Sequence, residues 1–156
     1  MPDYHLGEYL RTQQQETFRA CIIHAPAMSG KTTLARRIRE VMGAYLFDVQ
    51  REFLAHTERC TNIDRFRPLD LEQLLLGLAV APPIIVVDNF DFLLLTWRPT
   101  LQREFVNMVE RRLKSPGVTD KTFIFFVQSD PVICGRELKN TRGQPRILPL
   151  NALYAL

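Results

Sequence analysis

Residues 24–37 read HAPAMSGKTTLARR and lie between an apolar stretch and an amphipathic one. Residues 20–24, ACIIH, predict a short buried strand. Residues 31–43 predict a helix, because Leu34 and Ile38 recur on one face and Gly43 can end the helix. The arginines at 36, 37 and 39 mark the other face, which we expect to be solvated. The quoted stretch is therefore a loop that joins a strand directly to a helix.

The loop resembles the phosphate-binding pattern G-x-x-x-x-G-K-[ST], in which main-chain N–H groups surround phosphate oxygens. Gly30, Lys31 and Thr32 fill its last three places, while Ala25 stands where the first glycine is usual. Alanine is tolerable there if that residue has a negative φ. A chance match in a turn is the alternative, but the strand before and the helix after favour a nucleotide. The predicted phosphate-binding residues are Ala25, Pro26, Ala27, Met28, Ser29, Gly30, Lys31, Thr32 and Thr33.

An acidic residue follows the second strongly apolar stretch. Asp88 comes directly after Ile84–Val87, a β-branched run typical of a strand covered on both faces. A nucleotide-binding loop needs such a carboxylate to hold Mg²⁺ together with the hydroxyl of the loop. The predicted metal ligands are therefore Thr32 and Asp88, and the predicted cofactors are ATP and Mg²⁺. The alternative is that Asp88 only caps the next element.

Composition limits the number of domains and the kinds of partner that the chain can have. The chain has 156 residues, 46% of them hydrophobic, and a net charge of +3; it predicts one domain, 1–156, that allows but does not demand phosphate contact. No apolar run approaches the ~20 residues of a membrane span, and the first residues do not resemble a secretory signal. Three widely spaced cysteines suggest neither a metal site nor a disulfide framework, so we expect a cytoplasmic protein without a membrane partner.

Strands and helices alternate along the chain. Strands are predicted at 20–24, 44–49, 84–87, 122–127 and 146–150, and the longest helices at 31–43 and 100–114. A helix is also expected over 71–78, where leucines repeat at helical spacing. This order predicts an α/β fold with a mostly parallel five-stranded sheet.

Taken together, these motifs resemble the ASCE group of P-loop ATPases, with the AAA+ and STAND-like members nearest, over about residues 18–150. The resemblance implies a three-layer sandwich with strand order 5-1-4-3-2. It also implies that Asn89 stands where a carboxylate usually polarises water, so that Asn89 or Asp91 would place the water. Ser129, with Gln128 as alternative, would sense the γ-phosphate. Arg136 and Arg142 are candidates for an arginine finger acting on a neighbouring subunit.

Size, the Ala25 substitution and the ending RILPLNAL are similar to BrxF proteins, the small P-loop proteins of type III BREX phage-defence systems. That resemblance implies work beside a larger ATPase, a DNA methyltransferase and other defence subunits. Only NALYAL follows the last predicted strand, so the resemblance also implies a core without the helical lid of AAA+ proteins. The adenine side of the pocket would then be open unless another chain covers it.

Three functional hypotheses remain open from the residues. The first is a slow or assembly-dependent ATPase that acts as a homo-oligomer or with a larger ATPase partner. The second is a non-hydrolysing adaptor, which Ala25 and Asn89 favour and Lys31 opposes. The third is a small nucleoside or nucleotide kinase, whose lid could only come from residues 135–146. Direct DNA contact would add to any of them through a basic set, namely Arg65, Arg67, Arg111, Arg112 and Lys114.

Overall fold

The computed structural model describes residues 3–154, so residues 1–2 and 155–156 of the predicted domain lie outside it. Its centre is a five-stranded sheet, and a two-stranded sheet joins the two ends of the described chain. The strands are β1 (Tyr4–His5), β2 (Ala20–Ala25), β3 (Tyr45–Asp48), β4 (Ile84–Asp88), β5 (Thr122–Gln128), β6 (Ile147–Pro149) and β7 (Leu153–Tyr154). The five predicted strands are confirmed as β2 to β6.

The order of the central sheet is β3-β4-β5-β2-β6, and every pairing in it is parallel. With the predicted strands numbered one to five, this is the order 5-1-4-3-2 read from the other edge. Strand β5 therefore lies between β2, which leads into the loop, and β4, which ends at Asp88. All five carboxyl ends share one edge of the sheet.

Helices cover both faces of the sheet. They are α1 (Leu6–Gln13), α2 (Lys31–Met42), α3 (Val49–Ala55), α4 (Thr57–Thr61), α5 (Pro68–Leu76), α6 (Asp91–Thr96), α7 (Pro99–Arg111) and α8 (Pro131–Cys134). The predicted helices at 31–43, 71–78 and 100–114 correspond to α2, α5 and α7. Helix α5 starts earlier than the leucine spacing indicates, because Pro68 occupies its first turn. Helix α6, which follows Asp88 almost at once, was not predicted.

Two hydrophobic clusters explain the layers, because successive residues of a strand point to opposite faces. On one face Ile23 and Phe126 pack with Ile38 of α2 and with Tyr9 and Leu10 of α1. The other cluster is larger and joins the sheet to α3, α5, α6, α7 and α8. Strand residues such as Ile22 and Phe125 belong to it. The molecule is thus an α/β protein with helices on both sides of a parallel sheet.

The first and last described segments belong to this core. Strand β1 pairs with β7 in parallel, and the Tyr9 hydroxyl donates a 2.7 Å hydrogen bond to the carbonyl of Pro145. Leu6, Tyr9 and Leu10 are each at most 2% exposed. The packed unit therefore extends beyond residues 18–150, the part covered by the resemblance. Across residues 3–154, no helix combines the length and the apolar character needed to cross a membrane.

Candidate functional site

The loop between β2 and α2 is exposed and contains two residues with left-handed backbone. Residues 26–30 are exposed, and Met28 and Gly30 have positive φ values of 60° and 93°. The Ser29 hydroxyl donates to the carbonyl of Pro26 across the turn. Gly30 is the N-cap of α2 and offers no side-chain cap. The first N–H groups of this twelve-residue helix are consequently left for another acceptor.

Ala25 does not disturb this loop. It is the last residue of β2, is paired with Gln128 of β5 and is 3% exposed. It is not among the residues with positive φ, so this position makes no demand for glycine. Gly30 is different, because a side chain at its φ of 93° would be strained. The replaced glycine is therefore the dispensable one of the two.

Lys31 and Asp91 approach each other across the edge of the sheet. The Lys31 ammonium lies 3.8 Å from Oδ2 of Asp91. Oδ1 of Asp91 accepts a 2.7 Å hydrogen bond from the main-chain N–H of Gln128. Asp91 is thus tied to the end of β5 and orients the lysine. Of the two roles that the sequence leaves for Asp91, this geometry fits a structural one better than that of a base.

Thr32 and Asp88, the predicted metal ligands, lie near each other in the lining of one cavity. Asp88 is 3% exposed at the end of β4, and burial raises the pKa of its carboxyl above the ordinary value. Hydrogen bonds from the N–H of Asn89 and from the Thr32 hydroxyl lower the pKa again, while the charges of Asp48 and Asp91 raise it further. The site therefore concentrates negative charge that a cation would relieve.

Asn89 is held by a carboxylate that sequence reasoning did not single out. Its side-chain NH₂ donates a 3.0 Å hydrogen bond to Oδ2 of Asp48, and its backbone has a positive φ of 56°. Asp48 is the parallel-strand partner of Asp88. Because the amide nitrogen is engaged, the Asn89 carbonyl oxygen is the atom left to accept a hydrogen bond from water. Asn89 can orient a water molecule but cannot take its proton.

The end of β5 brings the predicted sensor residues to the same edge. Nδ1 of His24 and the Ser129 hydroxyl are 3.0 Å apart, at hydrogen-bonding distance. The Ser129 N–H donates to the carbonyl of Ala25 at 2.9 Å. Burial lowers the pKa of His24, so its neutral form is favoured. Ser129 therefore makes two hydrogen-bonding contacts with β2. Gln128 contacts Asp91 through its main-chain N–H.

The arginine candidates do not join this edge. Arg136 hydrogen-bonds Asn107 at 3.1 Å and lies 3.5 Å from Glu110, both on α7. Arg142 reaches Gln15 at 3.4 Å, next to Glu16, which holds Thr141. Gln15 and Glu16 precede the amino end of β2. The turn that carries Arg142 thus lies at the opposite edge from the loop, and Arg142 could approach a phosphate only in another copy.

Arg146, the third arginine in this part of the chain, has a structural role. It is 4% exposed, and its guanidinium donates to the main-chain carbonyls of Ala20, Val109 and Glu110. Two of the five basic residues considered for DNA are also engaged. Arg112 makes a two-point contact with Glu72 at 2.5 and 2.8 Å. Arg111 pairs with Glu110 at 3.0 Å.

An apolar cavity of about 570 Å³ adjoins the loop on the α1 side. Gly30 and Thr33 form its boundary with the loop, and Tyr154 closes it at the end of β7. The remaining lining residues are Leu6, Leu34, Arg37, Leu150 and Leu153. The side that the sequence resemblance leaves open is therefore flanked by the first and last described segments.

A second cavity, of about 430 Å³, lies on the other side of Thr32 between α2 and α3. Its lining includes Arg36 and Arg39 of α2 and Arg51 of α3. Arg36 and Arg39 are exposed, as the sequence predicts for the solvated face of α2. The sequence did not predict that α3 and β3 form a second wall opposite them.

Within the part of the chain that the structure describes, no three His, Cys, Asp or Glu side chains are grouped to hold a metal ion. A scan against family models matched none, and searches of curated proteins and of solved structures returned no match. The molecule is a parallel α/β protein in which a glycine-containing loop lies near a buried aspartate.

Sequence reasoning singled out the loop, Asp88, Asn89 and Asp91, and missed Asp48 and the partnership of His24 with Ser129. A signal for both existed. Asp48 and His24 are polar residues at or near the carboxyl ends of apolar strands, where parallel strands bring side chains together. Their partners come from other strands, which no local pattern identifies.

Proposed function

We propose that this chain is a Mg²⁺-dependent ATP-binding module that hydrolyses ATP slowly or only within an assembly. The observation that carries the proposal is the proximity of Thr32 and Asp88, which line one cavity at the base of the loop. It places a hydroxyl from the start of α2 against a buried carboxylate from β4, although β5 separates the two parent strands. A hydroxyl and a carboxylate at the start of an uncapped helix are suited to a metal-bound polyphosphate.

The residues present fit both groups. The main-chain N–H groups of residues 27–32 would surround phosphate oxygens, with Lys31 exchanging Asp91 for phosphate. Thr32 and Asp88 would hold Mg²⁺, which offsets phosphate charge when bound. The apolar cavity beside Gly30 and Thr33 has the size and lining for a nucleoside base. Preference for adenine follows from the resemblance to P-loop ATPases alone.

Slow hydrolysis is expected because the carboxylates near Asn89 already have hydrogen-bond partners. Asn89 orients water without accepting its proton, and Asp91 is anchored to the N–H of Gln128 at the end of β5. Asp48 is committed to Asn89 and to the N–H of Arg51. A missing base costs about 10²–10⁴-fold in rate. Asn89→Glu should therefore raise the rate of hydrolysis.

Assembly is the second part of the proposal. Arg142 lies opposite the loop of its own chain and would complete the site of a neighbouring copy, as the AAA+ resemblance implies. The similarity to BrxF proteins supports a cytoplasmic phage-defence complex with a larger ATPase and a DNA methyltransferase, in which DNA contact could be made through partners.

Equilibrium ATP binding tests the first part. Lys31→Ala should abolish ATP binding, because the ammonium is the one loop side chain with positive charge. Lys114→Ala, at an exposed lysine outside both cavities, is the matched control and should bind ATP like the wild type. Absence of wild-type binding at millimolar ATP would favour the adaptor, and equal binding by Lys31→Ala would remove the loop from the site. Mass measurement with and without ATP tests assembly.

A further inference from the structure

The cavity between α2 and α3 has the features of a binding site in its own right. Its lining comes mainly from α2, α3 and the edge strand β3. The strand contributes Tyr45, Leu46 and Phe47. Its volume of about 430 Å³ falls in the range of small-molecule sites. Thr32, Asp88 and Asn89 close the end that faces the phosphate loop.

The acidic residues in the lining already have partners. Glu52 lies 2.6 Å from the Arg59 guanidinium and 3.2 Å from Nε2 of His56. Asp48 accepts from Asn89 and from the main chain of Arg51. Asp88 lies near the Thr32 hydroxyl, which lowers the pKa of the Asp88 carboxyl. Glu52 is thus paired with basic side chains, whereas Asp48 is held by neutral donors that occupy its oxygens without offsetting its charge.

The basic residues in the lining are not so engaged. Among residues 3–154, no hydrogen bond or ion pair involves the guanidinium groups of Arg36, Arg39 or Arg51. Arg36 and Arg39 are one helical turn apart on α2 and face Arg51 on α3 across the cavity. Guanidinium groups bind phosphate and carboxylate oxygens in a two-point geometry. Three such donors around one concavity favour an oxyanion.

We propose that this cavity binds a small molecule carrying a phosphate or carboxylate group, held by Arg36, Arg39 and Arg51. A small molecule fits better than nucleic acid, because the three arginines, although exposed, line one cavity of about 430 Å³. The oxyanion site stands on the cavity itself. Its coupling to nucleotide rests on the proposed function, since both ligands would share Thr32 and Asp88 as boundary.

Titration calorimetry with two probes tests the site, ribose 5-phosphate for the phosphate class and citrate for the carboxylate class. At least one probe should bind the wild type saturably. Arg36→Gln and Arg51→Gln should each weaken that binding about tenfold or more, since one charge-assisted contact is lost. Arg103→Gln, at an exposed arginine of α7 outside the cavity lining, should bind like the wild type.

Lys31→Ala separates this proposal from the nucleotide proposal. A probe seated between α2 and α3 keeps its affinity in Lys31→Ala, whereas a probe seated on the loop loses it. The proposal is overturned if neither probe binds, if Arg103→Gln weakens binding as much as Arg36→Gln, or if Lys31→Ala abolishes it. Salt-dependent binding of a single-stranded oligonucleotide that is lost in Arg36→Gln, with no probe binding, would instead assign the arginines to nucleic acid.

Discussion

Asp88→Asn should stabilise the ligand-free protein even though it removes a proposed metal ligand. The carboxyl is 3% exposed and lies near Asp48 and Asp91. Its pKa is raised mainly by burial, so its ionised form is held at a cost in the native state. Asparagine keeps an oxygen that can accept from Thr32 and from the N–H of Asn89, and it carries no charge.

The gain should be about 1 kcal/mol, which lies within the range of single stabilising substitutions. For a chain of 156 residues, this corresponds to a rise in Tm of about 3 °C. Urea unfolding at pH 7.5 without nucleotide or Mg²⁺ would measure the free energy, and thermal unfolding would give the Tm. Asp64→Asn makes the same chemical change at an exposed residue and should stay within about 0.5 kcal/mol of the wild type.

The pH dependence of this gain has a defined sign. The carboxyl of Asp88 holds its proton more tightly in the native state than in the unfolded chain, where its pKa is near 3.8. The wild type therefore loses stability as pH rises from about 3.8 through the raised native pKa. The advantage of Asp88→Asn should grow across that interval and vanish below it. An asparagine variant that is less stable than the wild type at pH 7.5 would show that the carboxylate is stabilised where it lies.

Two further changes test the fold around the site. Arg146→Met should cost about 3 kcal/mol in urea unfolding, because three main-chain carbonyls lose their guanidinium donor; a loss no larger than that of Arg142→Met would contradict the structural role of Arg146. His24 has a lowered pKa, so the wild type should lose stability as pH falls below about 6.5. His24→Gln should reduce that loss between about pH 7.5 and about pH 5.5, and unchanged pH dependence would place the titration elsewhere.

The central sheet could be predicted because each of its strands can be recognised from its own short stretch of sequence. Ile84–Val87 and residues 122–127 are continuous apolar runs, and a strand buried on both faces needs nothing else. The order of the strands came from resemblance and agrees with the structure. Strands β1 and β7 could not be predicted, because each has two residues and exists only through its partner at the other end of the described chain.

The candidate site divides in the same way. Gly30, Lys31 and Thr32 form a contiguous motif, and Asp88 ends a recognisable strand. The arginine-lined cavity needs Arg36 and Arg51 on different helices, and their proximity depends on how α2 and α3 pack around β3. Helical periodicity assigns Arg36 to a solvated face, and Arg36 is exposed, but periodicity does not show that Arg51 lies on the other side of the same cavity. Tertiary packing determines which residues of different helices lie close together, and a single sequence does not show this packing.

The affinity for ATP as a function of Mg²⁺ concentration tests the pairing of Thr32 with Asp88 most directly. In the wild type, Mg²⁺ should tighten ATP binding by about tenfold or more, equivalent to about 1.4 kcal/mol. Thr32→Val and Asp88→Asn should bind ATP in EDTA at least as well as the wild type and gain little from Mg²⁺. If both variants keep the full magnesium gain, the ion is not held by these two side chains and the proposed site is wrong.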